Sequence, residues 1–202
     1  MVKKKKFDLR QWVLVTDWNP LTIWVYEEPY VRFAASDFSL NNIGNKYAHL
    51  SNNTVNKYAV GVDSTYDIPG NMWSLDELTA HLKEEYGRDV WADMDLNKKI
   101  KELVTNTLIS GQDMFDQSLK GGGNGKPFEI FGLDIMLDCS FNTWLLEVNS
   151  SPAMDYSTPI TTRLVKLVLE DTIKVVVDYA EAPKKQRKNI DTGMWTLVYQ
   201  AK

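Results

Sequence analysis

Along the first third of the chain, apolar and polar positions alternate with a period of two. In Lys6-Phe7-Asp8-Leu9-Arg10 the three charges share one face of an extended strand, and Phe7 and Leu9 share the other. The strand runs on through Gln11-Trp12-Val13-Leu14-Val15-Thr16. Asp17-Trp18-Asn19-Pro20 has turn chemistry, Leu21 to Tyr26 returns as a hairpin partner, and Val31-Arg32-Phe33-Ala34-Ala35 makes a third strand. Gly61 to Asn71 is turn-rich and is expected to be a surface connection. The period then changes. Ser74-Leu75-Asp76-Glu77 is a capping box that opens a helix to about Tyr86, stopped by Gly87. Leu96, Ile100, Leu103, Val104 and Leu108 mark the buried face of a longer helix from Asp95 to Ile109. Two more strands follow, Phe128 to Leu137 and Trp144 to Asn149. A last helix spans Thr161 to Val177, with Leu164, Leu167, Val168 and Ile173 as its core stripe. The pattern predicts an α+β fold, a largely antiparallel sheet packed with helices.

Chemistry enters where this pattern carries charge. In Trp144-Leu145-Leu146-Glu147-Val148-Asn149-Ser150-Ser151-Pro152 an apolar strand delivers a carboxylate and, two residues on, a carboxamide. Glu147 and Asn149 then project side by side, with Leu146 and Val148 facing the other way. Two hard oxygen donors on one strand suit Mg²⁺, which takes few protein ligands and completes its shell with water and phosphate. Asp134, a charge within Gly132-Leu133-Asp134-Ile135-Met136-Leu137, offers a third oxygen donor from the preceding antiparallel strand. Glu147 and Asn149 also fit the solvated face of an ordinary edge strand. Arg10 and Arg32 fall on neighbouring strands, where two guanidiniums make a clamp for phosphoryl or carboxylate oxygens. The same two residues fit a pair of structural salt bridges, one with Asp8 and the other with Glu27 or Glu28.

Composition narrows the classes. The 202 residues carry 44% apolar side chains, seven Trp and a net charge of −4. That suits one domain with a sizeable core and argues against nucleic acid as a partner. One cysteine, Cys139, excludes an internal disulfide framework and fits a reducing compartment; it falls in the turn Leu137-Asp138-Cys139-Ser140. No apolar run approaches the roughly 20 residues a membrane helix needs, and Met1 opens a lysine run instead of an apolar signal core. Gly121-Gly122-Gly123-Asn124-Gly125-Lys126-Pro127 is a loop: Pro127 follows the lysine where a phosphate loop needs Ser or Thr, and a strand follows where it needs a helix. The basic clusters Lys3 to Lys6 and Lys184-Lys185-Gln186-Arg187-Lys188 are expected to be solvated; an acidic polymer is the alternative partner.

Lys6-Phe7-Asp8-Leu9-Arg10, Val31-Arg32-Phe33, His49-Leu50-Ser51-Asn52, Phe131-Gly132-Leu133-Asp134 and Leu146-Glu147-Val148-Asn149-Ser150-Ser151-Pro152 occur in the order seen in the tubulin–tyrosine ligase-like enzymes. From about Lys6 to Tyr179 the chain resembles this family of ATP-grasp amino-acid ligases. Leu50 to Tyr58 and Met154 to Pro159 are most similar to its glycine-ligase branch. The resemblance implies the C-terminal half of the catalytic domain over residues 1–180, with a basic linker and C-terminal extension of the same domain over 181–202. It implies ATP and Mg²⁺ as cofactors. Lys6 and Asp8 would line the nucleotide site, Asn52 would lie near nucleotide or phosphate, and Arg10 and Arg32 would face phosphates and reacting carboxylates. Asp134 would serve both nucleotide and metal, and Glu147 and Asn149 the metal. The implied reaction adds glycine to glutamate side chains of tubulin tails, in the cytoplasm, the cytoskeleton and the cilium or flagellum axoneme. Glutamate or tyrosine ligation and a non-catalytic tubulin- or nucleotide-binding module are the alternatives. Members of the family carry a further N-terminal portion with a nucleotide lid. The chain by itself is therefore expected to bind ATP weakly and not to ligate glycine. It is also expected to leave apolar sheet surface open around Phe7, Trp12 and Leu133.

Overall fold

A computed structural model describes residues 1–59, 61–62, 64–112 and 128–201. The glycine-rich loop, Gly121 to Pro127, lies outside them. In chain order the elements are β1 (Phe7–Trp18), β2 (Leu21–Tyr26), β3 (Tyr30–Phe33), the single turns α1 (Lys46–His49) and α2 (Asn53–Asn56), β4 (Met72–Trp73), α3 (Leu75–Tyr86), α4 (Val90–Asp93), α5 (Leu96–Gly111), β5 (Glu129–Leu137), β6 (Thr143–Asn149), α6 (Pro159–Ile173) and β7 (Trp195–Gln200). The architecture is α+β around one curled antiparallel sheet.

β1 organises that sheet. Its N-terminal half pairs with β3, with Asp8 opposite Arg32, and its C-terminal half pairs with β2. Along its other edge it pairs with β5 from Leu9 opposite Ile135 to Val15 opposite Glu129. The change of partner between β3 and β2 leaves a backbone carbonyl without a strand mate. Gln11, 1% exposed, fills the gap: its Nε2 donates to the Tyr26 carbonyl and, at 3.0 Å, to that of Trp12. Among the described residues β6 pairs only with β5, and β7 adds to β2, with Trp195 buried.

The two faces bury different material. Leu9, Val13, Val15, Phe131, Leu133 and Ile135 face α3, α4 and α5 in one apolar core. On the other side Trp12, Leu14, Trp24, Tyr26 and Tyr30 pack under α6 through Leu164, Val165 and Val168. Phe7, Trp12 and Leu133 are thus inside, at 8%, 0% and 0% exposure, which corrects the expectation of open surface around them. Helices α3 and α5 cover the positions that a lone sheet would expose. Apolar groups that do face out on this sheet lie on β6, at Trp144, Leu146 and Val148, and on β7 at Leu197.

The helices follow their local signals. Ser74 accepts from the Glu77 amide at 3.2 Å while the Glu77 carboxylate accepts from the Ser74 amide at 2.7 Å, and Gly87 takes a left-handed φ of 68° that stops α3. In α5, Leu96, Ile100, Val104 and Leu108 are buried and Leu103 packs at the margin. Leu164 and Val168 are core residues and Leu167 packs at the margin, but Ile173 is 59% exposed. Five residues past Val168 it has turned about 140° away from the stripe. Thr172 and Val175 take the inner positions, the latter in a π-helical segment, Lys174–Tyr179, that continues α6. Lys5 also departs from expectation. A tight Val2–Lys5 bridge turns it inward to 1% exposure, and its ammonium donates to the carbonyls of Ala34 and Ala35. Cys139 is exposed in its turn, and no helix is long and apolar enough to cross a membrane among the described residues.

Candidate functional site

The site grows from one rung of the sheet. Strand pairing sets Arg10 opposite Asp134 and Asp134 opposite Glu147, while Asp8 lies opposite Arg32. All five project from the same face because each strand alternates. A bulge between Asp134 and Ile135 keeps them in phase: Leu145 pairs with Ile135, Glu147 with Asp134, and Leu146 is the extra residue.

Four of the five are buried, and they neutralise one another. Arg10 Nε donates to Asp134 Oδ1 at 2.7 Å, and Arg32 Nη2 lies 2.7 Å from Asp134 Oδ2. Arg32 also grips Asp8 bidentately, Nε to Oδ1 at 2.7 Å and Nη2 to Oδ2 at 2.8 Å. Ser51 donates to the same Asp8 carboxylate. Two guanidiniums against two carboxylates make a network of zero net charge, which is how four ionised groups sit at 2–7% exposure. Burial works against the charge on Arg32, but the hydrogen bonds and charge of Asp8, and then Asp134, outweigh it and hold its pKa above the usual value. The salt-bridge alternative thus holds in part. Asp8 does pair with Arg32, but Arg10 takes Asp134, Glu28 pairs with Arg163, and Glu27 with Lys101.

In front of this network lies a cavity of about 270 Å³. Arg10, Tyr30, Arg32, Asn52, Glu147 and Asn149 are among the residues lining it. Asp134 and Asp8 sit behind the arginines, and Lys6, partly buried at the head of β1, does not line it. Asn149 Nδ2 donates to the Gly132 carbonyl at 3.1 Å, which fixes the amide and leaves Oδ1 as an acceptor. The exposed Glu147 carboxylate has no hydrogen-bond or ion-pair partner among the described residues. Cationic donors thus meet free oxygen acceptors across one small space. That arrangement can hold a phosphoryl or carboxylate anion on one side and a hard cation on the other. No cluster of three or more Asp, Glu, His or Cys able to hold a metal exists among the described residues. The donor set fits an ion that takes two protein oxygens and draws its remaining ligands from phosphate or water.

Three residues of the site were not singled out from the sequence. Ser51 braces Asp8. Gly132 gives Arg10 room, since a Cβ there would lie 2.8 Å from Arg10 Nη1 and 2.8 Å from Pro152 Cβ. A glycine inside a strand pattern is the signal for such close approach. Tyr30 lines the cavity between the arginines, and no local signal marks it.

The tubulin-tyrosine ligase family model matches residues 1–188. The chain is 45% identical over 205 residues to Tubulin glycylase 3C of Tetrahymena thermophila, an alignment that covers 100% of this chain and 18% of that protein. It is 39% identical over 197 residues to Tubulin monoglycylase TTLL3 of Homo sapiens, covering 96% of this chain and 24% of that protein. Against Protein monoglycylase TTLL8 of Homo sapiens the identity is 41% over 197 residues, covering 96% and 21%. The chain therefore spans between 18% and 24% of the length of these curated relatives.

Proposed function

Since the chain belongs to the tubulin-tyrosine ligase family, we propose that it supplies one wall of the active site of an ATP-dependent ligase that adds glycine to glutamate side chains of tubulin tails. The observation that carries this reading is the charged network: Arg10, Asp134 and Glu147 in register across three strands, with the Asp8–Arg32 pair on the same face beside them, opening on one cavity with Asn149. Glycine is favoured as the donor because the relatives are named glycylases at 36–45% identity over nearly the whole chain. We assign residues 1–180 to the C-terminal half of the catalytic domain and 181–202 to its basic extension. Cytoplasmic microtubules and the ciliary or flagellar axoneme are the sites of action this substrate implies.

The reaction proceeds through an acyl phosphate: the glutamate γ-carboxylate attacks the γ-phosphorus of ATP, the bond to the β–γ bridging oxygen breaks, and ADP leaves. The glycine amine then attacks the acyl carbon, loses a proton, and the C–O bond to phosphate breaks, leaving an amide and inorganic phosphate. Arg10 and Arg32 bind and orient the transferring phosphoryl group and the reacting carboxylate, and their fixed charge opposes the negative charge that builds there. Asp8 and Asp134 hold the two guanidiniums flat and pointed at the cavity. Lys6, Asp8, Asn52 and Asp134 belong to the nucleotide side. Glu147 and Asn149 would hold Mg²⁺, which would supply charge neutralisation on the phosphates; Asp134 would reach the metal only by giving up an arginine, since Arg10 and Arg32 engage both its oxygens. The two guanidiniums are fixed by their carboxylate partners before substrate arrives, so little reorganisation is needed as the reaction proceeds.

Incorporation of labelled glycine into tubulin by the complete protein that carries these residues tests the reading, with glutamate and tyrosine run as rival donors. Glu147→Gln should abolish incorporation and leave the fold intact, since it removes charge without changing volume. Near-native turnover in Glu147→Gln would sink the metal assignment, and a preference for glutamate or tyrosine would replace glycine as the donor.

A further inference from the structure

The phenol of Tyr30 is a polar group on the cavity wall that the charged network does not use. Tyr30 is 5% exposed and stands opposite Arg10 on β3, two residues from Arg32 on the same face. Its ring packs on Trp12, centroids 5.3 Å apart. Its hydroxyl makes no hydrogen bond among the described residues, and the side chain lines the cavity, so this donor is open to whatever the cavity holds. The neighbours narrow what the missing partner must be. Arg10 and Arg32 are donors only, and their Nη1 groups make no hydrogen bond among the described residues. The carboxylates of Asp134 and Asp8 are already taken up by those arginines and Ser51. Burial first of all holds the proton on the phenol and raises its pKa; the two guanidiniums pull the other way without reversing it. A neutral O–H therefore lines the cavity beside two cations, on the wall opposite the oxygens of Glu147 and Asn149, and makes no bond to either.

We propose that Tyr30 is a substrate-contacting residue: its hydroxyl donates to an anionic oxygen, phosphoryl or carboxylate, that Arg10 and Arg32 hold in the cavity. This rests on the reading of that cavity as the ligase site and adds a contact to it. The hydroxyl supplies direction. Arginine forks accept an oxyanion over a range of positions, whereas a phenol pinned by Trp12 offers one donor along one line. A phosphate of the nucleotide and the carboxylate of glycine are the two sources of such an oxygen, and Tyr30 discriminates their geometry from that of water.

Tyr30→Phe in the complete protein removes the donor and keeps the ring. Three readouts are needed: calorimetric binding of inorganic pyrophosphate, the KM for glycine in tubulin ligation, and the melting temperature. A donor to a charged oxygen should weaken one of the first two about tenfold to a hundredfold. The melting temperature should stay within about 2 °C, because the packing on Trp12 survives. Loss confined to pyrophosphate places the contact on the phosphate side; loss confined to glycine KM places it on the carboxylate side. Unchanged values for both in an active protein overturn the role of Tyr30 and leave the ligase reading standing. A wild type that binds pyrophosphate without ligating anything overturns the ligase reading, and Tyr30 is then judged on pyrophosphate alone. Failure of the wild type to bind either probe overturns both.

Discussion

The two faces of the sheet are buried by different means, and β1 takes part in both. Its odd positions, Phe7, Leu9, Val13 and Val15, enter an apolar core against α3, α4 and α5. Its even positions begin as Asp8 and Arg10 and become apolar only at Trp12 and Leu14. On the first face burial is stabilising for each side chain alone, at about 1.5–3 kcal/mol for a full-size aliphatic group. On the second, burial of the charged end is tolerable only because two cations and two carboxylates arrive together. One face therefore loses stability gradually as atoms are removed. The other fails abruptly when its count of charges is broken.

The largest effect should come from breaking that count. Asp134→Ala leaves Arg10 without its partner and Arg32 with half of its own; we expect a loss of about 3–5 kcal/mol in urea denaturation and, in the complete protein, loss of the proposed ligation. On the apolar face Leu9→Ala should cost about 2–4 kcal/mol. Its ligation should persist at temperatures where the fold is intact, which separates the faces by function instead of by stability. Gly132→Ala probes the junction between them. Its Cβ would lie 2.8 Å from Arg10 Nη1, so the guanidinium must move; the expected cost is about 1–3 kcal/mol, with a larger proportional loss of activity.

The aromatic end of the second face has a pH signature. Tyr26 is buried and its hydroxyl bonds Asp171 Oδ2 at 3.0 Å. Burial, and then the adjacent Asp171 charge, raise its pKa well above the usual 10.0. The folded state therefore holds this proton where the unfolded chain releases it. The associated stability is fully present below about pH 10 and is lost as pH rises through the folded value. Urea titrations near pH 8 and about pH 11 should show the gap between wild type and Tyr26→Phe shrinking at the higher pH. A constant gap would place the alkaline loss elsewhere. The smallest effect lies outside both faces. Lys98 and Glu102 approach to 3.9 Å with 66% and 61% of their side chains exposed, and Lys98→Ala should shift stability by less than about 0.5 kcal/mol.

Much of this contrast was legible in the sequence, because it depends on local rules. Alternation from Lys6 to Arg10 assigns charges and apolar groups to opposite faces, and Ser74 with Glu77 announces α3. What was hidden depends on partners far along the chain. That Asp134 would sit between two arginines requires the β1–β5 register, which no single strand encodes. Leu146 reads as an ordinary alternating residue until its bulge against β5 is known. Lys5 sits in a lysine run that looks solvated, and only the carbonyls of Ala34 and Ala35 explain its burial. Gln11 looks like a polar intrusion until the change of strand partner shows why a carboxamide is needed there.

The central place of β1 also dictates an order of events during synthesis. Its hairpin with β2 closes over a few residues, but the bond from Arg10 to Asp134 spans 124 positions. At ~5–20 residues per second, a ribosome takes about 6–25 seconds to make that stretch. Throughout that interval Arg10 must stay hydrated, and the β1 edge that will receive β5 stays unpaired. The site thus cannot assemble while its first strand is being made, and the emerging hairpin presents an edge open to other strands.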